Sequence, residues 1–117
     1  MAAVPDGRVI TGSRDATVKL WRDGACERTI EAHVHNVRAV AVLPGGARFL
    51  SGSPDGTVKL WTLDGTLERT FTVGSNVLCA AALPDGDFVV VGLSGNAHFE
   101  VRLYHVDGTL VLSLIHI

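Results

Sequence analysis

The chain has 117 residues, 47% of them hydrophobic and 19% charged, and its ten Lys/Arg against twelve Asp/Glu leave a net charge of −2. That apolar share builds a core and argues against disorder, while the near-neutral balance gives no basic footprint for gripping phosphates, so nucleic acid is not expected as a partner. No apolar run approaches the roughly 18 residues that span a bilayer, and no charged N-terminal region precedes an apolar stretch, so neither a membrane nor secretion is expected and the expected setting is intracellular, cytoplasmic.

In chain order the sequence repeats itself. Pro5-Asp6-Gly7 marks a first turn, and Gly12-Ser13 leads into Thr17-Val18-Lys19-Leu20-Trp21, closed by Asp23-Gly24. Forty residues later Gly52-Ser53 leads into Thr57-Val58-Lys59-Leu60-Trp61, closed by Asp64-Gly65; Asn36-Val37 and Pro44 return as Asn76-Val77 and Pro84. A fixed period of 20 to 50 residues outranks any local reading, because it makes one supersecondary unit the building block. Within the middle unit, punctuation separates four short apolar runs at 37–43, 48–53, 57–63 and 66–73. Their length and β-branched content predict strands, and the Asp-Gly and Pro-Gly pairs between them predict tight reversals with positive φ. A third, looser copy places Val101-Arg102-Leu103-Tyr104 at 43 residues after Val58 to Trp61, so residues 94–100 carry three extra positions; Asp107-Gly108 follows. Each unit is thus expected to be a four-stranded antiparallel meander, and the fold class all-β.

The middle copy, His33 followed by Val37 and then Ser51-Gly52-Ser53-Pro54-Asp55-Gly56-Thr57-Val58-Lys59-Leu60-Trp61, resembles a WD40 repeat, whose units form the blades of a β-propeller. The resemblance covers nearly the whole chain and divides it into a first repeat at 1–32, lacking most of its first strand, a second at 33–73 and a degenerate third at 74–117. It implies a hydrogen-bonded tetrad formed in the second repeat by His33, Ser51, Asp55 and Trp61. A buried indole N–H, hydroxyl and carboxylate each need a partner, and an imidazole can relay between them. The first repeat keeps Thr11, Asp15 and Trp21 without a His; in the third, Val73 or Gly74, Val91, Gly95 and Tyr104 stand at the four positions. Arg22, Thr62 and His105 replace the Asp that follows the Trp in the family pattern. Under three blades make an incomplete propeller, with self-association through open blade faces as one expectation. Residues 112–117, Leu-Ser-Leu-Ile-His-Ile, look like the translation of a sequencing adapter and are expected to be a non-native tail; an ordinary fourth strand is the alternative.

No catalytic constellation emerges. His33 and His35 stand two apart and on a strand would share a face, but further ligands are lacking, so His35 reads as an exposed loop residue and no metal is expected; Asp15 and Asp55 recur at one repeat position and read as structural; and neither a P-loop nor a Ser elbow is present. No cofactor is expected, and Cys26 and Cys79 read as small core hydrophobes. The resemblance implies a non-catalytic protein-interaction scaffold that takes proteins or peptides on its rim loops, with Arg14, Asn36, Arg38, Pro54, Asn76, Leu78 and Ser94 as candidate contacts. The alternative is a substrate-recruiting arm of a larger enzyme or regulatory complex, such as a ubiquitin-ligase adaptor, kinase or nucleotide-switch protein.

Overall fold

The turn residues reverse the chain much as their chemistry demands. Asp23 and Gly24 both take positive φ (52° and 80°), as do Gly45 and Gly46 (93° and 73°), whereas at Asp64-Gly65 only the glycine does (98°). The computed structural model describes residues 2–3, 7–73, 76–82, 88–95, 98–105 and 110–116. Its elements are all strands: β1 (Ala2–Ala3), β2 (Val9–Gly12), β3 (Thr17–Arg22), β4 (Ala25–Glu31), β5 (Ala39–Val42), β6 (Arg48–Gly52), β7 (Thr57–Thr62), β8 (Leu67–Thr72), β9 (Asn76–Ala82), β10 (Phe88–Gly95), β11 (His98–His105) and β12 (Leu110–His116). They form three four-stranded antiparallel meanders, β1 to β4, β5 to β8 and β9 to β12. The turns at Pro84-Asp85-Gly86 and Asp107-Gly108, and the positions of Gly74 and Ser75, lie outside the described residues.

The third unit keeps the geometry its sequence blurs. In all three sheets the outermost pairing slips by one residue at the Trp or Tyr: between Leu20 and Trp21, between Leu60 and Trp61, and between Leu103 and Tyr104. The three extra residues lengthen a hairpin. The register of β6 and β7 ends at the pair Gly52 and Val58, whereas that of β10 and β11 runs on to Gly95 and His98. The segment at 110–116 pairs with β11 as the fourth strand of the third sheet.

Both faces of the middle sheet are buried, and the period-2 alternation of a strand assigns residues to them. Phe49 and Trp61 face the first sheet and pack with Ile10, Val18, Leu20, Ile30 and Val37. Leu50, Val58, Leu60 and Phe71 face the third and pack with Val77, Val89, Val91, Leu93 and Tyr104. Phe49 stacks on Trp61 at 6.3 Å, and Phe71 meets Tyr104 at 5.7 Å. Burying a side chain of this size contributes about 1.5–3 kcal/mol, so each sheet-to-sheet seam is a substantial share of the stability.

Two glycines permit the seams. A Cβ on Gly12 would lie 2.7 Å from Val37 Cγ1, and one on Gly52 would lie 2.5 Å from Val77 Cγ1. A valine just before β5 (Val37) and one on β9 (Val77) are therefore pressed onto bare backbone of the preceding sheet. Cations stitch the same seams: Lys59 donates from Nζ to the Ala32 carbonyl at 2.8 Å, and Arg102, one repeat on, donates from Nη1 to the Val73 carbonyl at 2.9 Å. The cysteines correct the expectation of core positions, because both are exposed. Cys26 lies on β4 and Cys79 on β9, each at the edge of its sheet, where a side chain has neighbours on fewer sides.

Candidate functional site

The second repeat gathers its polar residues around one buried imidazole. Trp61 on β7 donates from Nε1 to Ser51 Oγ at 2.9 Å, and Ser51 on β6 lies 2.8 Å from His33 Nε2. The other ring nitrogen, Nδ1, sits 3.2 Å from Asp55 Oδ2 and 3.0 Å from Thr57 Oγ1. Thr57 in turn donates to Asp55 Oδ1 from its hydroxyl at 2.6 Å and from its backbone N–H at 2.9 Å. Because the indole only donates and the carboxylate only accepts, the proton of neutral His33 rests on Nδ1 and the Ser51 hydroxyl donates to Nε2. Thr57 is the member that the sequence reading missed; its recurrence as Thr17 at the same offset from Asp15 was the available signal.

Repeat one holds the same parts in disconnected form. Trp21 donates to Thr11 Oγ1 at 2.9 Å, and Asp15 takes the Thr17 N–H at 3.1 Å and hydroxyl at 2.5 Å, but among the described residues no histidine joins the halves. In repeat three, Val91 is buried where the hydroxyl stood, and the Tyr104 hydroxyl lies 3.2 Å from Arg102 Nη1.

Burial pushes the His33 imidazole below its ordinary value, Lys59 adds to this, and Asp55 opposes it. For Asp55 burial works upward, but the Thr57 hydroxyl and N–H, with His33, outweigh it and hold the carboxyl below the usual range. The ring is therefore neutral at pH 7, and it meets Asp55 through a hydrogen bond rather than an ion pair. Since the folded His33 resists a proton that the unfolded chain accepts near pH 6.5, stability falls as pH drops below that value. Asp55 adds a second loss below about pH 3.8, because its folded carboxyl stays ionised where the unfolded one protonates. We expect the melting temperature to decline from about pH 6.5 downward, and His33→Gln to flatten that first phase; a decline unchanged in His33→Gln rules the imidazole out as its origin.

The rim residues separate into two seams. Arg14, Asn36 and Arg38 lie at the seam between the first and second sheets, where the Val37 N–H donates to the Ser13 carbonyl at 2.8 Å and the Arg38 N–H to that of Gly52 at 2.9 Å. Arg14 and Asn36 line one groove of about 420 Å³ together with Asp15, Ala16, Val34 and His35. Arg14 and Arg38 are exposed, and among the described residues neither makes an ion pair. At the next seam, Pro54, Asn76 and Leu78 are half-buried, and the Asn76 Oδ1 is buried with no partner among the described residues. The Ser94 side chain lies outside the described residues.

Compared with known proteins, the chain matches a family model described as "WD domain, G-beta repeat" over residues 1–22 and 24–62, just over half its length. The second match runs from β4 through β7 and so spans two sheets. No curated protein matches the chain.

Proposed function

The chain belongs to the WD-repeat family, and from that premise we propose that it acts as a non-catalytic scaffold that docks proteins or peptides on its rim. Repeats of this family generally mediate protein–protein interaction and are typically non-catalytic. The observation that carries the reading is a contrast between repeats. Framework residues recur at both seams (Ser13 and Ser53, Asp15 and Asp55, Asn36 and Asn76, Val37 and Val77), whereas rim positions differ: Arg14 against Pro54 and Arg38 against Leu78. Positions free to vary on a rigid frame are where binding specificity resides. An exposed guanidinium suits such a role, since it offers planar, bidentate pairing to a carboxylate. The proposed setting is intracellular and cytoplasmic, in keeping with two free thiols.

Arg38→Ala is expected to reduce the set of proteins cross-linked to the chain in a cytosolic extract while leaving the melting temperature unchanged. A large fall in melting temperature would assign the residue to the fold instead.

A further inference from the structure

The groove at the first seam differs in cationic and apolar lining from the residues at the matching positions of the second repeat. Its lining sets Arg14 beside His35 and Asn36, with Val34, 84% exposed, and the Ala16 methyl as apolar surface. The sequence counterparts at the second seam are Pro54, Asp55, Gly56, Gly74, Ser75 and Asn76, which bring no cation and no large aliphatic side chain. Ala16 even takes φ 74° where Gly56 takes 86°, so repeat one carries a methyl on backbone that favours glycine.

The one anion in the groove is already engaged. Asp15 Oδ1 accepts both the N–H and the hydroxyl of Thr17. Among the described residues Arg14 forms no ion pair with it, so the guanidinium is available to a carboxylate from outside. A volume of about 420 Å³ admits a few side chains rather than a folded element.

We propose that this groove takes an acidic segment of a partner protein, with a Glu or Asp carboxylate paired to Arg14 and hydrogen-bonded by His35 or Asn36, and a neighbouring aliphatic side chain resting on Val34 and Ala16. The proposal rests on the interaction-module reading and assigns one partner chemistry to one seam. Arg14 supplies two parallel donors to a carboxylate, and the exposed Val34 gains by covering apolar surface that water now meets.

The test starts from a displayed library of random dodecapeptides selected on the immobilised 117-residue chain, followed by titration of the most enriched peptide in synthetic form. Enriched peptides are expected to carry Glu or Asp next to Val, Leu or Ile. Glu→Gln in the peptide, or Arg14→Gln in the protein, should each weaken binding at least about tenfold. Arg14→Lys should recover part of the loss, and Arg69→Ala, at an exposed position of the outer strand β8, should leave this peptide's affinity unchanged. Unaltered circular dichroism and melting temperature in Arg14→Gln secure the comparison. Peptides that enrich but bind Arg14→Gln as well as the parent chain, or that prefer phosphoserine to Glu, overturn the groove proposal and leave the scaffold reading standing. Failure of any peptide to enrich counts against both.

Discussion

Ser51→Ala is expected to destabilise the chain by roughly 2–5 kcal/mol, although it removes a single oxygen. The hydroxyl serves two buried partners at once, accepting from Trp61 Nε1 and donating to His33 Nε2, and no other group among the described residues hydrogen-bonds either atom. Each orphaned group costs about 1–3 kcal/mol where water cannot replace the lost partner. Ser51 is 0% exposed, His33 8% and Trp61 6%. The first repeat provides the control. Thr11→Ala leaves only the Trp21 indole unpaired, in a half-buried position that water reaches, and should cost about 1 kcal/mol or less. Urea titrations of the two variants, with an unchanged slope and different midpoints, measure the contrast. Equal costs would mean that the imidazole adds nothing to the tryptophan–hydroxyl pair.

Gly52→Ala should cost about 1–3 kcal/mol by overpacking the seam between the second and third sheets. The added Cβ would lie 2.5 Å from Val77 Cγ1, 3.3 Å from Val77 Cβ and 3.4 Å from Ala39 Cβ, and Val77 itself is fully buried. The closest obstacle is a side chain, so Val77→Ala should rescue part of the loss. The double variant is expected to be more stable than the two single costs sum to, and strict additivity would show that the seam has room to adjust elsewhere.

The 40-residue period, the Asp-Gly turns and the strand lengths were legible because they depend on local chemistry: positive φ at a reversal, β-branched residues in a half-buried strand, and alternation between two faces. The residues that converge on His33 were also legible, since complementary donors and acceptors at recurring positions invite one another. Other features depend on what lies across a seam. Gly12 and Gly52 recur visibly, yet that each receives a valine from the next sheet is a relation between chain segments 25 residues apart. Lys59 and Arg102 likewise read as solvated cations until the Ala32 and Val73 carbonyls appear beside them. The cysteines were misread for the same reason: their small apolar side chains suit a core, but their strands lie at sheet edges. In the third repeat the blurred sequence concealed a preserved bulge, because the register slip needs one surplus residue in the outer strand rather than a particular side chain.

The stretch matched at 24–62 begins on the outermost strand of one sheet and ends on the third strand of the next. The unit that is inherited and the unit that folds are therefore out of phase by one strand. Copying such a stretch never yields a free-standing blade; it finishes the sheet before it and opens a sheet that only the following copy can finish. Growth by duplication thus lengthens the array while tying every newcomer to its neighbour through shared backbone as well as packed side chains. Cooperativity between adjacent blades is in that sense copied along with the sequence, and it does not have to evolve afresh at each seam.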